Sequence, residues 1–200
     1  MKKRMVIGIT GSIGTGKTAA ARHLGRHGFA VINVDRLYRR ISRPGSAIAK
    51  RIARHFGKEV LLKNGSIDRA TLKAIVFKDP RKLRLLNSIT HPLILKETKK
   101  LIGKSKKTVV IDAPLLLEAR FDRLCDYVVV THAPKNVVLR RLLGARKLTK
   151  REILSIMGSQ MPFSQKRKRA DSVVDTSGSY AHTHAQLRKI ISRIKEDKPI

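Results

Sequence analysis

The sequence predicts an α/β fold in which a five-stranded parallel sheet lies between layers of helices. Three observations carry this expectation. Short β-branched runs at 5–9, 29–34, 108–112, 127–130 and 172–174 alternate with stretches of helical periodicity. The first run breaks into Gly11-Ser12-Ile13-Gly14-Thr15-Gly16-Lys17-Thr18, and a helical pattern follows from Ala19 to Arg26. The second and third runs each bring an aspartate, Asp35 and Asp112, to the carboxyl end of a strand. In open α/β sheets that is the edge where ligands bind.

The glycine-rich segment has two glycines with four residues between them, then Lys and a hydroxyl, which is the P-loop spacing. Gly11, Gly14 and Gly16 let the backbone curl until its N–H groups face one concavity. The helix N-terminus that follows adds partial positive charge. On this reading Lys17 reaches the β- and γ-phosphates of a nucleotide and Thr18 holds Mg2+. The strand–loop–helix setting favours it over a plain glycine-rich turn. The expected class is therefore a P-loop NTPase-type three-layer α/β/α fold with a five-stranded parallel sheet, a helical acceptor subdomain and a lid.

Composition sets the bounds. At 200 residues and 42% hydrophobic content, the chain suits one globular domain with a sizeable core. No run approaches the roughly 18 apolar residues of a membrane span. The apolar run after Met-Lys-Lys-Arg leads into the P-loop, so a signal peptide is not expected. The single cysteine, Cys125, excludes an intrachain disulfide and a multi-cysteine zinc site, in keeping with a cytoplasmic protein. It lies beside an apolar strand and reads as a small buried hydrophobe. The net charge of +31 attracts polyanions and phosphorylated small molecules alike. It permits nucleic-acid binding, which is not expected to be the function, since aromatics make up 4% and Trp is absent.

Taken in order, the second strand, Phe29 to Val34, ends at Asp35, which faces the ligand crevice or serves as a helix N-cap. Residues 36–105 read as mostly helical. Arg43-Pro44-Gly45 breaks one helix and Pro44 starts the next, which buries Ile48, Ile52, Ala53 and Phe56. Lys63-Asn64-Gly65-Ser66 is a turn, and Asp68 caps a helix through Leu72 and Phe77. Asp79-Pro80 opens another helix, with Leu83, Leu86 and Ile89 buried, and His91-Pro92 interrupts it. Thr108 to Asp112 has the shape of a Walker B strand, whose Asp contacts Mg2+ directly or through water. A fourth strand covers Tyr127 to Val130, and a helix runs from Lys135 to about Leu143. Residues 135–169 carry 11 Lys/Arg and one acid, Glu152, a composition that suits a basic flap over phosphates. Most of those cations must nonetheless be solvated, and Lys166-Arg167-Lys168-Arg169 also resembles a nucleic-acid patch. Ser172 to Val174 is the fifth strand, Thr176-Ser177-Gly178-Ser179 a turn, and Tyr180 to Lys195 the last helix. His182 and His184, two apart, read as surface residues.

Several segments together resemble the dephospho-coenzyme A kinases. They are Gly8 to Thr18; Val34-Asp35; Asn64 to Arg69 with Val76-Phe77; Ile89-Thr90-His91-Pro92; Asp112-Ala113-Pro114-Leu115-Leu116-Leu117-Glu118; and Gln160-Met161-Pro162 through Ala170-Asp171 to Asp175. They keep the family's order and span nearly the whole chain. The P-loop is shared by many families; the His-Pro pair and the Asp-Ala-Pro-Leu-Leu-Leu-Glu segment are more specific.

The resemblance implies transfer of the ATP γ-phosphoryl group to the ribose 3′-hydroxyl of dephospho-coenzyme A, with Mg2+. Asp35, Lys17 and Arg141 match catalytic positions, Asp35 as acceptor of the hydroxyl proton. ATP contacts fall on Gly11, Ile13, Gly14, Thr15, Gly16, Lys17, Thr18, Ala19 and Thr176. Acceptor contacts fall on Asp35, His91, Pro114, Leu115, Leu116 and Glu118, and metal contacts on Thr18 and Asp112. Within the single domain 1–200, segments 1–35, 106–134 and 170–197 form the nucleotide core, 36–105 the acceptor subdomain and 135–169 the lid. The chain departs from the pattern at Ala145, where an Arg is usual and Arg146 stands beside it, and at Thr176, where Asn is frequent. The rival readings are a P-loop kinase for a nucleoside or nucleotide and a basic nucleic-acid-binding P-loop protein.

Overall fold

A run of buried β-branched residues makes β1 (Val6–Gly11) the centre of the sheet, with all six residues inside. The computed structural model describes residues 5–145 and 148–195. Arg146, the neighbour of the lid position at Ala145, therefore lies outside the described residues. With β2 (Ala30–Asn33), β3 (Val109–Asp112), β4 (Tyr127–His132) and β5 (Ser172–Asp175), the strand order is β2-β3-β1-β4-β5. The pairings of β1 with β3, β1 with β4, and β4 with β5 are parallel, with Val6 opposite Val109 and Gly8 opposite Val128. Strands β1 and β3 are wholly buried, whereas β2 and β5 at the edges are half-exposed. That is the burial pattern of a parallel sheet covered on both faces.

The described residues divide into two compact units, those of segments 5–32 and 104–195 and those of 33–103. In the first, α1 (Lys17–Arg26) and α9 (Tyr180–Lys195) cover one sheet face. Ile7, Ile9, Val110, Tyr127, Val129 and Val174 project from alternate strand positions to meet Ala20, Leu24, Leu187, Ile190 and Ile191. On the opposite face Gly8 leaves room for Leu116 and Cys125: a Cβ there would stand 2.7 Å from the Cys125 sulfur. Burial pushes the Cys125 thiol up to about 12, so it is inert. Three further helices follow β4: α6 (Lys135–Gly144), α7 (Lys150–Gly158) and the short α8 (Phe163–Arg167).

The second unit is helical: α2 (Val34–Ile41), α3 (Ala47–Phe56), α4 (Arg69–Lys78) and α5 (Pro80–Lys104). Its core is Ile48, Ala49, Ile52, Phe56, Val60, Ile67, Leu72, Val76 and Ile89. The Asn64-Gly65 turn forms as expected, with Gly65 at φ 75 and a bridge between Leu61 and Ile67. Asp68 caps α4, accepting from the Ala70 and Thr71 amides. A bond from the Thr71 hydroxyl to the same carboxylate, and then these two, hold its carboxyl below the usual range.

The structure corrects several local expectations. The second strand stops at Asn33, whose side chain accepts from the Arg36 amide and so caps α2. Asp35 accordingly lies in the first helical turn; it neither ends a strand nor serves as the cap. Pro44 sits in a turn, and Ser46 caps α3 instead. Pro92 does not interrupt α5. The carbonyl it leaves without a helical donor belongs to Ser88, an exposed residue that water reaches. Strand β4 runs two residues past Val130 because Thr131 and His132 still find partners in β5. His184 is half-buried, stacked on His23 at 3.9 Å. No described helix is long and apolar enough to cross a membrane.

Candidate active site

The glycine-rich loop leaves β1 and closes into α1 through two residues in the left-handed region, Gly14 and Gly16, both at φ 74. A side chain is strained at either place. At Gly14 it would also meet Val138 of α6 at 2.9 Å, so the loop packs directly against that helix. Thr15 anchors the loop's inner half. Its hydroxyl donates to the Ser12 carbonyl at 2.8 Å and accepts from the Thr131 hydroxyl at 2.9 Å. The Thr176 hydroxyl donates to the Thr15 carbonyl at 2.9 Å. Bonds of this kind hold the loop in the curl that turns N–H groups toward one side, and α1 begins there with its positive dipole end.

Lys17 Nζ pairs directly with Asp112 Oδ1 at the end of β3. Asp112 is 1% exposed, so its charge is stabilised by that ammonium instead of by bulk water. The register explains the meeting: Ile9 of β1 lies opposite Asp112, and the loop begins two residues later. Thr18 follows Lys17 and is exposed. Hard oxygen donors suit Mg2+, which takes one or two protein oxygens and leaves the rest of its shell to water and phosphate. The Thr18 hydroxyl and Asp112 carboxylate fit that demand. Among the described residues no cluster of three His, Cys, Asp or Glu forms an all-protein metal cage.

Beside the loop lies a cavity of about 390 Å3 lined by Gly14, Gly16, Ala19, Arg141, Thr176 and Tyr180, among others. Thr176 is 4% exposed and commits its hydroxyl to two carbonyls, those of Thr15 and His132. Arg141, in the last turn of α6, donates to the Thr176 carbonyl at 2.5 Å. The loop, α1, α6, the segment after β5 and the start of α9 therefore meet at this cavity. Of the residues expected at the nucleotide, Gly14, Gly16, Ala19 and Thr176 line this cavity, whereas the Ile13 amide is bonded elsewhere.

That bond is one that sequence reasoning missed: the Ile13 amide donates to Gln160 Oε1 at 3.0 Å. The segment after β3 shows a second. Glu118 Oε1 accepts from the Met161 amide at 2.9 Å and from Lys166 Nζ at 2.8 Å. Lys166 is 0% exposed, so it is no part of a basic surface patch. The expected acceptor residue Glu118 thus has a structural partner. Leu116 is fully buried against Gly8, while Pro114 and Leu115 are half-buried. The signal for Lys166 was its sequence context: Lys166-Arg167-Lys168-Arg169 looked uniform, and nothing local distinguished the one residue facing inward. In the second unit, Asp35 is exposed at the start of α2. His91, in mid-α5, is half-buried, and burial lowers its pKa.

Against known proteins, residues 5–182 match the family model described as dephospho-CoA kinase. Over 194 residues the chain is 40% identical to the dephospho-CoA kinase of Carboxydothermus hydrogenoformans, covering 95% of this chain and 94% of that one. The Bacillus licheniformis dephospho-CoA kinase is 37% identical, with 94% and 95% covered. Among solved structures, TT1252 from Thermus thermophilus superposes with a TM-score of 0.84 at 29% identity, covering 99% of this chain and all of that one. The dephospho-CoA kinase from Campylobacter jejuni gives 0.69 at 26%, with 97% and 98% covered.

Proposed function

The chain belongs to the dephospho-CoA kinase family, and from that premise we propose that it transfers the γ-phosphoryl group of ATP to the ribose 3′-hydroxyl of dephospho-coenzyme A, releasing coenzyme A and ADP, the last step of coenzyme A synthesis. The observation that carries the proposal is the pairing of Lys17 with Asp112 at the foot of a P-loop. A cation and a strand-end carboxylate meet there beneath amides suited to a phosphate chain.

Phosphoryl transfer passes through a loose transition state whose charge lies on the phosphoryl oxygens, so positioning and electrostatics do most of the work. The loop between Gly11 and Thr18, through the amides it leaves open, and the α1 N-terminus bind and orient the phosphates. Lys17 neutralises charge that develops between the β- and γ-phosphates, and Arg141 contributes from α6. Thr18 and Asp112 would hold Mg2+, which shields phosphate charge when bound. Thr176, Gly16 and Ala19 border the nucleotide. Asp35 orients the acceptor hydroxyl and accepts its proton; its place in a first helical turn fixes its backbone. His91, Pro114 and Leu115 contact the acceptor, so residues 33–103 carry acceptor binding and 135–169 act as a basic lid. The proposal places the enzyme in the cytoplasm.

A coupled assay for coenzyme A formation tests this, run beside an acceptor panel. ATP-dependent turnover of dephospho-coenzyme A, with uridine and AMP inert, is the expected result. Phosphorylation of uridine or AMP without dephospho-coenzyme A would refute the assignment.

A further inference from the structure

The outer half of the P-loop is held by a residue that the reaction scheme does not use. Gln160 follows α7 at the point where the chain returns from residues 135–158 to the sheet. Its carboxamide oxygen accepts from the Ile13 amide. Its own position is tightly defined. The next amide, of Met161, donates to Glu118. Pro162 follows and biases Met161 toward extended backbone. Lys166, one turn along, is buried and donates both to Glu118 and, at 3.3 Å, to the Pro114 carbonyl. The Thr10 hydroxyl donates to that same carbonyl at 3.2 Å. Gln160 is therefore mounted on a network that joins the end of β1, the segment after β3 and the last turn of α8. The acceptor it offers Ile13 is preorganised.

We infer that Gln160 is a positioning residue for phosphoryl transfer: its carboxamide oxygen sets the direction of the Ile13 N–H and with it the outer arch of the P-loop. The inference rests on the nucleotide-binding reading of that loop. A P-loop works because its amides are aimed before the phosphates arrive. Thr15 secures the inner half of the arch through Thr131 and Thr176 and ties it to the Ser12 carbonyl, and α1 continues from it. The Ser12–Ile13 half precedes both left-handed glycines and lies farther from the helix. Gln160 supplies there what Thr15 supplies within. The effect reaches the phosphates through backbone orientation, without a contact from Gln160 to the transferred group.

The test is Gln160→Leu, similar in size but without the acceptor, compared with Gln160→Glu, which keeps an acceptor oxygen. Exchange of the Ile13 amide is followed by NMR, and kcat and KM for ATP and for dephospho-coenzyme A are measured on the full chain. In Gln160→Leu, Ile13 exchange should accelerate about tenfold or more and kcat/KM for ATP fall roughly ten- to hundredfold, with KM for the acceptor little changed. In Gln160→Glu, slow exchange should return. Wild-type exchange or wild-type kcat/KM for ATP in Gln160→Leu would overturn the inference. So would a glutamate variant that exchanges as fast as the leucine one. If the leucine variant does not fold, Gln160→Asn, one methylene too short to span the gap, is read by the same criteria. Should wild-type protein turn over no ATP, the nucleotide reading fails, while the Ile13 exchange rates still judge the positioning separately.

Discussion

His23 lies on the buried side of α1, 7% exposed, with its ring stacked on His184 and tilted against His27 at 4.4 Å. Arg26 and Arg188 add positive charge nearby, and burial, the largest cause, combines with these neighbours to bring its pKa from 6.5 down to about 4. The sign follows from linkage. Between those two values the unfolded chain takes up a proton that the folded chain refuses, so stability falls as pH drops from about 6.5 toward 4. The full effect is on the order of 3 kcal/mol, and half-buried His91 adds in the same direction. The melting temperature should therefore decline between pH 7 and pH 5, and His23→Leu should flatten that decline. An unchanged slope in the variant would show that His23 does not set it. None of this was visible in the sequence, where His23 and His184 stand 161 positions apart. Asp35 was legible as an acid near a strand end, but its helical setting was not. That depended on whether Asn33 or Asp35 took the cap, and propensity alone ranks the two equally.

Among the elements, the return segment through α8 shows how one inward side chain can secure a whole piece of chain. Lys166 and Glu118 form a buried pair, 1% and 21% exposed at their side chains. Removing one partner of such a pair strands the other charge and costs about 3–5 kcal/mol, whereas replacing both together is far milder. Lys166→Met alone should thus lower stability markedly, and Glu118→Gln added to it should recover much of the loss. Urea denaturation of both variants measures this; equal destabilisation of the single and double variants would contradict the pairing. Strands, the P-loop and the Asp68 cap were readable because each is a local pattern. The continuity of α5 through Pro92 was not, because the local rule against proline lost to a 25-residue helix with buried Ile89 and Ile94 on either side.

Over the whole molecule the charge belongs to no single element. Residues 33–103 hold 18 Lys/Arg against 5 Asp/Glu, and the rest of the chain holds 27 against 9. An excess spread this evenly acts mainly as self-repulsion. Raising salt from about 0.01 M to 0.1 M shortens the screening length from about 30 Å to about 10 Å. The melting temperature should rise over that range. A fall would mean that surface ion pairs outweigh the repulsion. The sequence showed the total charge and the places of the five strands along the chain; it did not show which cations turn inward, since that is decided by tertiary packing.

On the proposed mechanism Asp35 is the base for the acceptor hydroxyl. The decisive measurement is steady-state coenzyme A formation by Asp35→Asn, beside direct ATP binding. The kcat should fall about a hundredfold or more with ATP affinity kept within a few-fold. Turnover near that of the unaltered protein would contradict it.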